Sequence, residues 1–227
     1  MSTIDDELLE LNTAIADLIR SASEIDTGLV VLLSRVLYPP ALPPNAQMAS
    51  IIYYSHSTAE KRINLVRDVL TFRFYKRLRD FPAHDYNPKM ARFIISCLNK
   101  TCEQFTEHLW VRNTVAHGTT IRSHGATVIP SPMDFEGSER FRKRRGVNKP
   151  GPFVFEGGFT AVELQSYIAQ FNKFQPRIAK ITISTELFLA NKFGQRLDEL
   201  ASALGTDFKI AHPLHVRPPR GPKKRRP

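Results

Sequence analysis

The sequence predicts an all-α protein with one small non-helical insertion. Apolar residues recur every three or four positions through most of the 227 residues, as they do along one face of an α-helix. Prolines and other turn-forming residues interrupt this pattern at only a few points. The helical period is lost over residues 119–159, where two short segments, 125–129 and 152–155, have the composition of β-strands. We therefore expect five or six helices and a β-hairpin in the insertion.

The first two predicted helices cover residues 3–22 and 24–37. The first has an apolar face made of Ile4, Leu8, Leu11, Ile15, Leu18 and Ile19. The second is more apolar but too short to span a bilayer, so we expect it to be buried. Four prolines between Pro39 and Pro44 then end the helical pattern. Residues 1–45 are thus predicted to form an N-terminal unit of two helices and a proline-rich turn.

A third helix is predicted over residues 46–79, and a fourth from near Lys89 to just before Gly118. The fourth helix has an apolar stripe made of Ile94, Leu98, Cys102, Phe105 and Leu109. Spacings of three and four residues extend this stripe to Arg112 and Ala116. Because an unpaired guanidinium in a core is costly, Arg112 must meet a carboxylate, an oxygen-rich cavity or a cleft open to an anionic ligand.

The last long helical stretch begins at Thr160, which forms a capping-box sequence with Glu163. We expect Pro176 to kink or divide this stretch, whose apolar pattern stops around Gly205. Together with the third and fourth helices and the insertion, it makes up a helical domain over residues 46–210. Residues 211–227 are rich in proline and basic residues, so we expect a disordered basic tail there.

The positive charge is concentrated in two segments. Residues 140–149 and 217–227 each carry six basic residues and no acid, and the net charge of the whole chain is +10, so everything else carries −2. Separate cationic segments of this kind bind polyanions, and nucleic acid is the first candidate; a tail that only aids solubility is the alternative. The cations that we expect to contact nucleic acid are Arg140, Arg142, Lys143, Arg144, Arg145, Lys223, Lys224, Arg225 and Arg226.

Nothing in the sequence predicts a membrane span, a metal site or a cofactor. The chain has no run of 18 apolar residues and starts with an acidic segment, so we expect a cytoplasmic protein with no membrane association. Cys97 and Cys102 point roughly 140° apart on a helix and are expected to be core residues. His212 and His215 have no further ligand nearby. There is no glycine-rich phosphate loop, which argues against a nucleotide hydrolase.

The residues able to carry chemistry are gathered at the end of the fourth helix, in the sequence Arg112-Asn113-Thr114-Val115-Ala116-His117-Gly118. Asn113 and His117 are four residues apart, so the amide could bond the imidazole and select its tautomer. Arg112 lies about 140° around the helix from His117, so the two cannot share one face. Gly118 suits a left-handed position after the helix. A structural alternative is that both cations only complement the helix dipole.

Two further residues of the fourth helix are candidates for neighbours of this motif. His108 precedes Arg112 by four residues and could line the same cleft, but we favour a place on the solvated face of the helix. Glu107 could form a structural ion pair with Arg112 or Arg122.

The motif resembles the R-x4-6-H signature of the HEPN superfamily (higher eukaryotes and prokaryotes nucleotide-binding domain). Arg112 and His117 match its two ends, Asn113 matches the polar residue that often follows the arginine, and Val115-Ala116 match the small or apolar residues that precede the histidine. The setting is also similar, because the motif ends a late, long helix of an all-α domain and another long helix follows. The resemblance covers roughly residues 46–205.

The resemblance implies a metal-independent endoribonuclease that acts as a homodimer. Two copies of the motif would form one composite site, in which Arg112 of one subunit approaches His117 of the other. His117 would be the general acid/base for attack of the ribose 2′-hydroxyl on the adjacent phosphodiester, and Asn113 would orient it. Arg112 would stabilise the charge that develops on phosphorus-bound oxygen. The products would be a 2′,3′-cyclic phosphate and a 5′-hydroxyl.

The resemblance also implies a biological setting and leaves alternatives open. A toxin or a phage-defence effector is the setting that it indicates, with an antitoxin or another regulatory protein as a partner. A non-catalytic HEPN module, which binds RNA or a partner protein through the insertion and the tail, is the main alternative. A structural helical protein with a solubilising tail is the third.

Overall fold

The computed structural model describes residues 4–38, 45–80, 88–121, 126–129, 139, 143–144, 146, 158–192 and 194–210. These residues form a helical bundle with one small antiparallel sheet, which confirms the predicted fold class. Within them, no helix combines the length and apolarity that a bilayer crossing requires. The elements are α1 (Ile4–Leu37), α2 (Ala46–Tyr54), α3 (Ala59–Asp80), α4 (Pro88–His117), β1 (Thr119–Ile121), β2 (Thr127–Ile129), α5 (Ala161–Leu189) and α6 (Gln195–Phe208).

The first helix, α1, is continuous over 34 residues, so the prediction of two helices was wrong. The polar residues at the expected boundary remain helical. The hydroxyl groups of Ser23 and Thr27 donate to carbonyl oxygens one turn back, at 2.9 and 3.0 Å. Ser21, Ala22 and Ile25 are all buried, so the core-facing stripe runs without interruption through this region. Packing along the whole helix therefore overrides the weak local break.

The helix predicted over residues 46–79 is also wrong as a single element, because residues 55–58 separate α2 from α3. The Ser55 hydroxyl donates to a carbonyl three residues back, at 2.7 Å. The Thr58 hydroxyl accepts from the N–H three residues ahead, at 3.3 Å. Serine and threonine side chains that satisfy the free backbone groups of helix ends stabilise such a break.

Two contacts between α1 and α5 show the relative direction of these helices. A Cβ on Gly28 of α1 would lie 3.1 Å from Ile178 of α5, and further along both helices Arg35 pairs with Glu186 at 2.7 Å. Because both residue numbers rise together, α1 and α5 run parallel.

Helices α4 and α5 run antiparallel. The ring of Phe105 lies 6.1 Å from that of Phe174, and the ring of His108 lies 5.9 Å from that of Tyr167. Residue numbers therefore rise along α4 as they fall along α5. As a result, the C-terminus of α4 and the N-terminus of α5 lie at the same end of the bundle.

Helix α5 begins and ends with recognisable caps. The predicted capping box is present, with Thr160 and Glu163 each bonding the other's backbone N–H. The exposed Pro176 lies inside the helix and does not divide it. The helix ends instead at Leu189. Just beyond it, Asn191 adopts the left-handed conformation (φ 59°), and the Lys192 N–H donates to the carbonyl five residues back at 2.9 Å. The predicted continuation to Gly205 is thus a separate helix, α6.

The small sheet lies at the end of the bundle where α4 stops. β1 and β2 are antiparallel, with Thr120 opposite Val128. Val128 also exchanges two backbone hydrogen bonds with Phe159, at 3.0 and 2.9 Å, just before α5. The predicted strand at 125–129 is confirmed over 127–129. The one predicted at 152–155 lies outside the described residues, as does the tail from residue 211.

Candidate active site

The predicted active-site residues lie at the junction between α4 and the hairpin. Helix α4 ends at His117, and β1 begins two residues later. Arg112 is half-buried, whereas Asn113 and His117 are exposed. The structure therefore places all three polar side chains in the last two turns of α4.

In the last two turns of α4, the buried residues lie one position earlier in the chain than the sequence predicts. Val111 and Val115 are the buried residues of the last two turns, and Ala116 is exposed. The prediction that Ala116 and Arg112 continue the core stripe was therefore wrong for Ala116, and Arg112 lies at the edge of the stripe. The reason is the hairpin: α4 contacts β2 here, and the hairpin buries a different side of the helix from the one that the upstream turns bury.

Gly118 is required by close packing and not by a left-handed backbone, as the sequence had suggested. Its φ lies outside the left-handed region. A Cβ at this position would lie 2.3 Å from the carbonyl oxygen of Thr114 and 2.4 Å from that of Ile129. Only glycine lets β2 pass this close to the end of α4, so Gly118 fixes the hairpin against the turn that carries His117.

Asn113 is bonded to Arg112 and not to His117. The Arg112 guanidinium donates to the Asn113 amide oxygen at 3.2 Å. In the described part of the chain, His117 has no hydrogen-bond or ion-pair partner and Glu107 forms no ion pair with Arg112. Arg122 lies outside that part. The expected Asn113–His117 contact is therefore replaced by a bond that draws the arginine around the helix towards the amide.

His108 lies among aromatic rings, so its predicted place on a solvated face was wrong. Its half-buried imidazole lies 5.9 Å from the ring of Tyr167, 6.2 Å from that of Phe171 and 6.1 Å from that of Phe174. Burial lowers the pKa of His108, and the neighbouring Glu107 carboxylate opposes that shift. The neutral imidazole therefore belongs to the packing between α4 and α5.

The basic insertion contacts α4 close to the motif. The guanidinium of Arg144 lies over the ring of Trp110, 5.1 Å from its centroid, and also donates to the backbone carbonyl of Glu107 at 3.5 Å. Lys143 pairs with Glu139 at 3.0 Å. The other predicted nucleic-acid contacts lie outside the described residues: Arg140, Arg142, Arg145, Lys223, Lys224, Arg225 and Arg226.

Trp110 is a site residue that the sequence analysis missed. It precedes Asn113 by three residues and His117 by seven, so the three side chains form one row along the helix. That spacing was a signal available in the sequence. The approach of Arg144 was not, because it joins residues 34 positions apart in the chain.

A shallow groove of about 450 Å³ opens on the neighbouring face of α4, beside the end of α6. It carries side chains of both charges, and its acid Asp207 is paired with Lys180 at 2.8 Å. Its lining residues are Lys100, Glu103, Gln104, Glu107, Asp207, Phe208 and Lys209. Among the described residues, no group of three or more His, Cys, Asp or Glu side chains is arranged to hold a metal ion.

Comparison of the chain with protein-family models, with curated proteins and with solved structures finds no match. The resemblance to the HEPN superfamily therefore depends on the residues from Arg112 to Gly118 and on their helical setting.

Proposed function

We propose that this protein is a metal-independent endoribonuclease of the HEPN type that acts as a homodimer and cleaves RNA with Arg112, Asn113 and His117. One observation carries the proposal: the three side chains lie together in the last two turns of α4, with the His117 imidazole exposed and without a hydrogen-bond or ion-pair partner among the described residues. The imidazole is therefore accessible to a ligand.

The chemistry of each residue suits cleavage by the ribose 2′-hydroxyl. An imidazole nitrogen can accept or donate a proton, so His117 can take the hydroxyl proton and return a proton to the leaving oxygen. Arg112 is always charged and has five N–H donors, of which Asn113 takes one. The remaining donors are available to stabilise the negative charge on the phosphate oxygens in the transition state.

The geometry of a single chain supports a composite site made by two subunits. Arg112 and His117 lie about 140° apart around an ideal helix. The Arg112 guanidinium bonds Asn113 and not the imidazole, so a single chain does not bring the two groups into contact. Two copies that meet at their exposed ends can place Arg112 of one subunit opposite His117 of the other.

The charge distribution supports RNA as the substrate. The insertion brings the cation of Arg144 to the side of α4 that also carries Asn113 and His117. The two basic segments supply twelve cations to a body that is otherwise nearly neutral. Such segments bind the phosphate backbone through a salt-dependent attraction that does not depend on sequence. A cytoplasmic RNA is the substrate that we propose.

The proposal is tested by incubating purified protein with a labelled single-stranded RNA in EDTA. We expect products that carry 2′,3′-cyclic phosphate and 5′-hydroxyl ends, and no cleavage of an oligonucleotide with deoxyribose at the cut position. His117→Ala should abolish cleavage, while His56→Ala, a matched histidine on the α2–α3 connection, should not. Cleavage that survives His117→Ala would exclude the mechanism, and salt-sensitive RNA binding without any cleavage would favour a non-catalytic binding module.

For the biological role, we propose a toxin or phage-defence effector controlled by an antitoxin or another regulatory protein. An active ribonuclease of this kind would arrest the growth of a cell that produces it. Expression of the wild-type chain should therefore stop growth, and expression of the His117→Ala variant at the same level should not. Equal growth of the two strains would exclude this role.

A further inference from the structure

Trp110 lies in the same row of side chains as the proposed catalytic histidine. Trp110 and His117 are seven residues apart, which is nearly two turns of helix. On an ideal helix this separates their Cα atoms by about 10.5 Å along the axis and by only about 20° around it. Asn113 lies between them. A nucleic-acid strand that follows this row would pass over the indole before it reaches the imidazole.

Two aromatic rings pack against the indole, and a cation lies over it. The ring of Phe159 lies 5.4 Å from that of Trp110, and the ring of Tyr167 lies 6.5 Å away. The Arg144 guanidinium lies over the indole at 5.1 Å from its centroid. Trp110 itself is only partly buried. An aromatic platform that is held in place and has an arginine above it provides both kinds of contact that proteins use to bind single-stranded RNA.

We propose that Trp110 and Arg144 form a nucleobase subsite, in which a base close to the cleaved phosphodiester stacks on the indole in place of the guanidinium. The displaced Arg144 then pairs with a phosphate of the same strand. The inference rests on the proposed function in that its ligand is RNA, but it requires binding only and not cleavage. It adds a contact to the bases, whereas Arg112, Asn113 and His117 act on the phosphate and the ribose.

The contacts of Arg144 suit such an exchange. Its hydrogen bond to the Glu107 carbonyl is long, at 3.5 Å, and therefore weak. The residue is exposed, and a guanidinium forms stronger, paired hydrogen bonds with a phosphate than with a single carbonyl oxygen. A base also offers the indole a larger flat surface than the guanidinium does. RNA thus improves the contacts of both residues.

The test uses the intrinsic fluorescence of the protein, because Trp110 is its only tryptophan. The full chain with His117→Ala, which leaves RNA intact, is titrated with a single-stranded oligoribonucleotide. In parallel, binding is followed by the anisotropy of a dye on the RNA. We expect the tryptophan emission to be quenched with the same midpoint as the anisotropy change. An abasic oligonucleotide of equal length should bind through its phosphates without quenching. Equal quenching by the abasic strand, or binding with unchanged emission, would overturn the proposal.

Variants of the platform provide the second measurement. Trp110→Leu should weaken binding of the normal oligonucleotide about tenfold but leave binding of the abasic one within about twofold, because only the former loses a stacked base. Trp110→Phe should weaken binding of the normal oligonucleotide less than Trp110→Leu does. Tyr75→Leu, which removes an exposed aromatic residue from α3, is the matched control and should change neither. Thermal unfolding of each variant shows whether it is folded. If Trp110→Leu and Trp110→Phe are folded and bind both strands as tightly as the parent, the subsite does not exist.

The two proposals fail in different ways. Quenching in the His117→Ala chain without any cleavage by the wild-type protein would support the subsite and exclude the ribonuclease activity. Cleavage by the wild-type protein without quenching would support the ribonuclease activity and exclude the subsite.

Discussion

Arg112 of α4 and Arg177 of α5 differ in how completely their guanidinium groups are paired. Arg177 of α5 donates to the side chain of Gln104 at 2.8 Å and to the backbone carbonyl of Asp207 at 3.3 Å. It also lies over the ring of Phe208 at 4.7 Å. It therefore joins α4, α5 and α6 and stabilises their packing. All of its contacts are made within the bundle.

Arg112, near the end of α4, is also half-buried but has fewer partners. Within the described part of the chain its guanidinium forms one hydrogen bond, to the adjacent Asn113. The difference separates two parts of α4. Beside Gln104, in the body of the bundle, an arginine fastens helices together, whereas in the last two turns Arg112 keeps donors that no other described residue accepts.

Removal of each guanidinium in turn should separate the two roles. Arg112→Met should lower the rate of RNA cleavage by about 10²- to 10³-fold, because a donor to the transition state is lost. Its free energy of unfolding should stay within about 0.5 kcal/mol of the wild-type value. Arg177→Met should lower the unfolding free energy by about 1–2 kcal/mol and leave the cleavage rate within about twofold. Denaturant unfolding and single-turnover cleavage measure the two effects, and a stability loss confined to Arg112→Met would reverse the assignment.

A second comparison concerns two glycines, one at each kind of helix end. Gly118→Ala should lower the unfolding free energy by about 1–3 kcal/mol, because the new Cβ would overlap the carbonyl oxygens of α4 and β2. Gly194→Ala is the control, since Gly194 has an extended backbone and no atom within 4 Å of the added Cβ. Because Gly194 is the N-cap of α6 and alanine is a poorer cap than glycine, this variant should cost up to about 1 kcal/mol, less than Gly118→Ala. Similar losses for the two variants in urea unfolding would show that the hairpin does not pack closely on α4.

His108 is a packed histidine on the same helix as the exposed His117, and its packing should make the stability of the protein depend on pH. Burial lowers its folded-state pKa below the ordinary value of 6.5, so below that value the unfolded chain binds the proton more readily. Its contribution to stability is complete above pH 6.5 and is lost as the pH falls through the folded-state pKa. The melting temperature should therefore fall less steeply between pH 7.5 and 5.5 for His108→Phe than for the wild-type protein. If the melting temperatures of both proteins fall equally, His108 is not a packed, neutral imidazole.

The two cysteines in the body of α4 should show almost no reaction with a thiol reagent in the native protein. Burial raises the pKa of Cys97 and of Cys102 to about 12, so almost no thiolate exists at pH 8. Iodoacetamide should label neither residue in the native protein and both after unfolding in guanidinium chloride, as measured by mass spectrometry. Rapid labelling of the native chain would show that this part of the bundle is open.

Features set by neighbouring residues could be predicted from the sequence. The capping box at Thr160 and Glu163 depends on groups three residues apart, and the composition of β2 indicated a strand. The motif from Arg112 to His117 was also located at a helix end by its periodicity and by the glycine after it.

Features set by distant parts of the chain could not be predicted. The continuity of α1 through Ser21 depends on packing against other helices. The phase of the last turns of α4 depends on β2, which also explains Gly118 better than a left-handed backbone does. The contact between Trp110 and Arg144 depends on how the insertion folds back onto α4.

Complementation between two inactive variants tests whether two subunits share one active site. Arg112→Ala and His117→Ala chains are purified separately, mixed, and allowed to exchange subunits before RNA is added in EDTA. A mixed dimer retains one intact arginine and one intact histidine on opposite subunits. If two motifs form a composite site, the mixture regains a substantial fraction of wild-type cleavage, although neither variant cleaves RNA alone. If subunits exchange and the mixture stays inactive while the wild-type protein cleaves, the site lies within one chain and the account is contradicted.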